Sequence, residues 1–115
     1  MRFHRIAFAL GLAALSAFAA AQDRQVYIVQ LADQPAASYT GGVAGYTATK
    51  PAPGAKLDVN ASNVAAYINY LDTQRSNAIA QVSSAAILHR YSVAFNGFSA
   101  LLSADEVRKL KSASN

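Results

Sequence analysis

The chain has 115 residues, one small domain's worth, with ten Lys and Arg against six Asp and Glu, no Cys and no Trp. Without Cys there is no disulfide framework, no thiolate metal site and no Cys nucleophile, and two His (His4 and His89) are too few for a His-rich zinc site. Hydrophobic residues make up 53%, but 26 of them are Ala, so the bulk available for a core is modest, and the length excludes a complete hydrolase domain beside a targeting segment.

Met1 to Ala21 reads as a secretory signal peptide. Arg2 and Arg5 give a positive start, Ile6 to Phe18 is apolar apart from Ser16, and Ala17-Phe18-Ala19 and Ala19-Ala20-Ala21 both fit an A-x-A cleavage pattern. The spacing places cleavage between Ala21 and Gln22, with the bond after Ala19 as second choice. A membrane anchor is the competing reading, but a spanning helix needs about 20 apolar residues and this run is shorter. The expectation is therefore a secreted chain, extracellular or periplasmic, with no stable membrane anchor after cleavage. Removing 21 residues from 115 leaves 94, with eight basic against six acidic side chains, so the net charge falls from +4 to +2. No basic stripe with interleaved aromatics remains, and no nucleic-acid partner is expected.

Gln25 to Leu31 is rich in β-branched and aromatic residues and predicts a strand. Both parities are apolar, as in a strand buried on both faces or central in a sheet. Residues 32–61 carry Gly41, Gly42, Gly45 and Gly54 with Pro35, Pro51 and Pro53. An irregular run of about 30 residues is unusual in a small domain. It reads as a surface insertion that Tyr39, Val43, Tyr46 and Leu57 pin to the domain. Gly41-Gly42-Val43-Ala44-Gly45 is not a phosphate loop, because no Lys-Ser/Thr follows and no strand feeds it directly. Asn60-Ala61-Ser62 spells a glycosylation sequon, with nothing else in the sequence to indicate its use.

Asn63 to Ser83 predicts an amphipathic helix. Val64, Ile68, Leu71, Ala78, Ile79 and Val82 share one stripe, which Tyr67 widens. Arg75 interrupts the stripe, its stem expected along the apolar face and its head in water. Asn60 or Ser62 is the expected N-cap. Such a stripe is a core face and implies no cofactor.

Ile87 to Leu102 predicts a β-hairpin around Asn96-Gly97, the dipeptide suited to a type I′ turn whose two central residues need positive φ. A two-residue loop would pair Phe95 with Phe98, Val93 with Ala100 and Tyr91 with Leu102. Alternation then puts Ile87, His89, Tyr91, Val93, Phe95, Phe98, Ala100 and Leu102 on one face, mostly apolar and covering the helices. The other face carries Leu88, Arg90, Ser92, Ala94, Ser99 and Leu101. By pattern alone this mixed face fits a solvated sheet surface and a docking surface equally.

Ser103-Ala104-Asp105-Glu106 opens a second helix with a capping box, and Val107 and Leu110 lie on its inner side. Asp105 and Glu106 sit at its positive end and Arg108, Lys109 and Lys111 toward its negative end, which is helix electrostatics rather than catalysis. The order gives an α+β fold with five of the six elements of the ferredoxin-like βαββαβ arrangement, the last strand missing. In that arrangement the last strand borders the first, so its absence leaves Gln25 to Leu31 as an open apolar edge.

These residues carry a family resemblance over nearly all of residues 25–111. Val26-Tyr27-Ile28-Val29-Gln30-Leu31 resembles the opening strand of the inhibitor I9 propeptides of subtilisin-like serine proteases. Leu88-His89-Arg90-Tyr91-Ser92-Val93-Ala94-Phe95-Asn96-Gly97-Phe98-Ser99-Ala100-Leu101-Leu102-Ser103 is similar to the family's central hairpin, where a Tyr precedes an Asn-Gly-Phe turn, a small-residue strand and a short capped helix. Tyr39-Thr40-Gly41-Gly42-Val43-Ala44-Gly45 and Lys56-Leu57-Asp58-Val59 resemble the insertion in propeptides of large secreted bacterial subtilases. Tyr67-Ile68-Asn69-Tyr70-Leu71 with Gln74-Arg75 looks like their first helix. The resemblance implies a domain of residues 22–115 that helps its protease fold and then inhibits it until degraded. It also implies docking on the subtilisin-like catalytic domain through the outer sheet face, here Leu88, Arg90, Ser92, Ala94, Ser99 and Leu101, with a C-terminal tail lying in the substrate cleft. The usual last strand, tail and catalytic domain do not follow Asn115, so the chain reads as the front of a longer precursor. The alternative is a stand-alone inhibitor or folding helper acting in trans.

An enzyme in its own right is the contrasting reading. Nucleophilic catalysis needs a base positioned beside Ser or Thr, and only His89 survives signal removal, on the expected inner face. Asp105 and Glu106 are adjacent on a helix and diverge by about 100°, so they are not a facing carboxylate pair. No catalytic residue, metal ligand or cofactor is expected. The open edge predicts marginal stability for residues 22–115 alone, without a cooperative transition above about 60 °C.

Overall fold

The computed structural model describes residues 23–113; the expected signal peptide, 1–21, and its cleavage point at Ala21 and Gln22 lie outside the described residues. Five elements follow in chain order: β1 (Gln25–Gln30), α1 (Ser62–Ala80), β2 (Ala86–Tyr91), β3 (Gly97–Leu102) and α2 (Ala104–Lys111). The strands form one antiparallel sheet in the order β1-β3-β2. The fold is α+β, as the element order predicts.

The helices meet one face of the sheet. Phe98, Ala100 and Leu102 alternate along β3 and are buried with Leu31, Ala78 and Val82; Tyr27, Val29, Ile87, Val107 and Leu110 pack around them. A second apolar cluster lies beyond the sheet. Its buried members are Ala36, Tyr39, Tyr67 and Leu71, flanked by Val43, Tyr46, Leu57 and Ile68. Helix α1 therefore serves two cores, the sheet with its C-terminal half and the 32–61 segment with its N-terminal half. The expected pins Tyr39, Val43, Tyr46 and Leu57 all take part. Tyr39 and Tyr67 stack with centroids 3.8 Å apart. The Tyr67 hydroxyl donates to the Gln34 carbonyl at 2.6 Å, and Tyr70 donates to the Asp33 carboxylate at 2.7 Å. An irregular segment is tolerated here because its aromatic side chains are buried and its backbone is hydrogen-bonded.

Four sequence expectations are corrected. Strand β1 is neither central nor buried on both faces; it lies at one side of the sheet, the edge position that the element order predicts, with Val26 and Ile28 62% and 72% exposed. The N-cap of α1 is Ala61, in extended conformation with no side-chain cap bond, while Asp58 accepts from the Asn60 backbone N–H at 2.9 Å. The Arg75 head does not reach water. It is buried between the two cores, donating to the Tyr91 carbonyl at 2.7 Å and the Ser92 hydroxyl at 2.8 Å and pairing with Asp72.

The fourth correction concerns the hairpin. Tyr91 pairs with Gly97, and residues 92–96 connect the strands. The tight turn loses to tertiary bonds. The carbonyls of Ser92 and Val93 accept from the Ala36 and Ala37 N–H groups, each at 2.9 Å, which holds the 32–61 segment against the connection. Asn96 is buried and donates from Nδ2 to the Asp33 carbonyl at 2.9 Å. Gly97 does not adopt positive φ. It is needed because a Cβ there would lie 1.9 Å from the Val29 carbonyl oxygen.

Candidate functional site

The sheet face opposite the helices is the surface that the fold leaves open. On β1 it carries Val26 and Ile28, and on β3 Leu101 and Ser99, which stand opposite them in the register. Opposed residues of an antiparallel pair share a face, so these four form one patch.

On β2 a bulge decides what joins them. Ile87 stands opposite Ala100 on the helix side, but His89 stands opposite Ser99 and Arg90 opposite Phe98, so the register shifts between Ile87 and His89. An extra residue in one strand reverses the parity beyond it. The shift carries His89 and Tyr91 to the open face. There the Tyr91 and Ser99 hydroxyls are 3.3 Å apart, and the His89 and Tyr91 ring centroids 6.3 Å apart. The expected placement of His89 and Tyr91 on the inner face is thereby overturned.

The six residues expected on the outer face separate accordingly. Ser99 and Leu101 lie on its side of β3, Leu101 half-buried and Ser99 buried at 4% exposure. Leu88 is the bulged residue, 44% exposed. Arg90 is exposed on the edge strand but opposite the inner residue Phe98. Ser92 is turned toward α1, donating to Asp72 Oδ1 at 3.0 Å and accepting from Arg75. Ala94 is exposed in the connection between β2 and β3. Pattern reasoning missed Val26 and Ile28, because a strand apolar on both parities was read as doubly buried. The bulge leaves no mark in the hydrophobic pattern.

The face offers apolar contact and a few neutral polar groups. His89 is exposed, and among the described residues no three His, Asp or Glu side chains cluster to hold a metal ion. The acidic pair of α2 is occupied in structural bonds. Ser103 and Glu106 form the expected capping box, and Glu106 also pairs with Arg24 and accepts from the Ser84 hydroxyl at 3.2 Å. The Ser103 backbone N–H, 2.9 Å from the Glu106 carboxylate, is the main reason that this carboxyl is held below its ordinary range; the Ser103 hydroxyl and Arg24 act in the same direction against its burial. Asp105 pairs with Arg108. No helix among the described residues is long and apolar enough to cross a membrane.

Comparisons with known proteins agree with this architecture. A curated relative is the Subtilisin-like protease SBT2.6 of Arabidopsis thaliana, 29% identical over 92 residues, a match that covers 77% of this chain and 11% of that protein. The chain thus corresponds to about a tenth of the length of the relative it matches. No solved structure matches. The profile of the peptidase inhibitor I9 family, a family of inhibitory rather than catalytic domains, matches residues 26–114, most of the chain, and the chain belongs to that family.

Proposed function

We propose that this chain is the N-terminal prodomain of a secreted subtilisin-like serine protease, acting in cis as folding helper and temporary inhibitor, with residues 1–21 as the secretory signal. The carrying observation is the open sheet face: in a domain of the I9 family, Val26 and Ile28 are mostly exposed beside Leu101, on a face without an ion pair among the described residues. Exposed apolar surface of this kind marks an interaction site. The face with Val26, Ile28, Leu88, His89, Tyr91, Ser99 and Leu101 docks on the catalytic domain by burying apolar area, with His89 and Tyr91 taking the places that the sequence pattern assigns to Arg90 and Ser92. The relative's name, a subtilisin-like protease, supports the kind of partner.

The test is binding of the purified chain to a subtilisin-type catalytic domain whose nucleophilic serine is replaced by alanine. The expected result is saturable binding that Leu88→Asp weakens at least tenfold, a loss of about 1.4 kcal/mol, while Ala94→Asp changes it little. No binding at 100-fold molar excess, or equal binding by the Leu88→Asp chain, would refute the docking face.

A further inference from the structure

The connection between β1 and α1 has a fixed part and a loose tip. Up to Lys50 it is anchored: Tyr39 and Thr49 are buried, the Thr49 hydroxyl donates to the Ala36 carbonyl at 2.6 Å, and the Lys50 N–H donates to the Tyr39 carbonyl at 2.9 Å. Anchorage resumes at Leu57, which packs against the second core. Between them Ala52, Pro53, Gly54, Ala55 and Lys56 are exposed in succession. The backbone bond within this tip is one turn, from the Ala55 N–H to the Ala52 carbonyl at 2.9 Å. The other connections are better held. In residues 81–85 Val82 is buried, and the Gln81, Val82 and Ala85 N–H groups are bonded. In residues 92–96 the Ser92, Val93 and Asn96 carbonyls all accept backbone bonds.

A protease takes its substrate as an extended strand, so it cuts where the fold releases several consecutive residues at little cost. Exposed loop tips of small residues meet that requirement. Pro51 and Pro53 narrow the choice. A proline just after the scissile bond has no N–H and a rigid ring, which protects Lys50–Pro51 and Ala52–Pro53. The bonds between Pro53 and Leu57 remain.

We propose that an endoprotease cuts this chain first between Pro53 and Leu57, and that this one cut ends docking. Hydrolysis adds one water across one peptide bond, leaving a carboxylate on the first fragment and an ammonium group on the second. The first fragment carries β1 with Val26 and Ile28; the second carries His89, Tyr91, Ser99 and Leu101. The open sheet face is thereby divided between two molecules. No side chain of the tip belongs to either core, so the cut acts by removing the tether. A marginal domain favours its folded form by roughly 10³–10⁴. A short tether supplies an effective concentration on the order of 1 mM, so the cut pair dissociates with a constant of ~0.1–1 μM. Below that concentration the two halves of the face separate. The loss of docking rests on the function proposed above; the position of the cut does not.

Trypsin is the probe for the cut, because Lys56–Leu57 is a basic bond in the tip and Lys50 is protected by Pro51. Brief digestion of the full chain, read by mass spectrometry, should give Lys56–Leu57 as the first cut between residues 25 and 107. It should precede cutting at Arg75, which is buried, and at Arg90, which lies in β2. Lys56→Gln should slow internal cutting at least tenfold with unchanged circular dichroism. Binding is then measured with trypsin removed, the chain at about 10 nM and the serine-to-alanine catalytic domain titrated. The nicked pair should bind at least tenfold more weakly than the intact chain. A first internal cut at Arg75 or Arg90, an unslowed Lys56→Gln chain, or a nicked pair that binds as the intact chain does would overturn the proposal. If the intact chain itself fails to bind, the docking face falls, and the digestion map alone decides the site of cutting.

Discussion

Replacing Gly97 by alanine tests how β3 is held against β1. The added Cβ would stand 1.9 Å from the Val29 carbonyl oxygen, 2.8 Å from Phe95 Cε1 and 3.0 Å from the Val29 carbonyl carbon. Ordinary contact begins at 3.4 Å, so the backbones must separate by 1.5 Å at the first pair of the register. The Phe95 ring can turn aside, but the Val29 carbonyl is fixed by the ladder. Opening that end weakens about two backbone hydrogen bonds, worth ~1 kcal/mol each. The overpacking adds ~1–3 kcal/mol. The expected loss is therefore about 3–5 kcal/mol, near the whole stability of a marginal domain of ~5 kcal/mol. In urea unfolding followed by circular dichroism, with a slope of ~1–3 kcal/mol per molar, the midpoint should fall by more than about 1 M or the native baseline should disappear. Gly54→Ala serves as the comparison. It meets nothing within 4 Å but sits at φ +81°, so its cost is the left-handed backbone alone, ~1–2 kcal/mol. A Gly97→Ala chain within 1 kcal/mol of wild type would refute the close-approach argument.

Other outcomes follow from the same contacts. Arg75→Met keeps the stem but removes the donor to the Tyr91 carbonyl and the Ser92 hydroxyl and the cation paired with Asp72, and should cost about 2–3 kcal/mol in thermal unfolding; an unchanged Tm would show that the bridge between the two cores is dispensable. Ser103→Ala removes the α2 cap and should cost ~1 kcal/mol by the same assay. The Glu106 carboxyl is held below its ordinary value of 4.5, so its contribution is complete above that pH and is lost as pH falls through the lowered folded-state value; acid titration of a Glu106→Gln chain should show a shallower decline. Burial, with the Asp33 charge next, pushes Tyr67 up to about 12, and the hydrogen bond to Asp33 pushes Tyr70 up to about 12. Both hydroxyls stay protonated in the fold, so their stabilisation is present below pH 10 and is lost as pH rises from 10 toward 12; retained stability at pH 11.5 would contradict this.

Local chemistry was legible wherever it decided alone. The Ser103–Glu106 capping box needs only residues three apart, and it forms as spelled. The stripe along α1 has its period written in the chain, and Tyr39, Val43, Tyr46 and Leu57 announced themselves as bulky side chains in a segment without other apolar mass. The resemblance to I9 propeptides rested on such local runs, and the family match agrees with it. The candidate site was half legible. Ser99 and Leu101 follow from alternation along β3, whereas Ser92 was assigned to the wrong face and His89 was turned inward.

Sequence by itself determined the element order, the α+β class, the capped second helix and the apolar content of β1, because each depends on residues near one another in the chain. The tertiary structure alone decided that Asn96-Gly97 is not the turn. Bonds from Ser92, Val93 and Asn96 to residues 33–37, about 60 positions away, outweigh the local preference for a type I′ geometry. It also decided the faces of β2. One bulged residue reverses the parity of those that follow in β2.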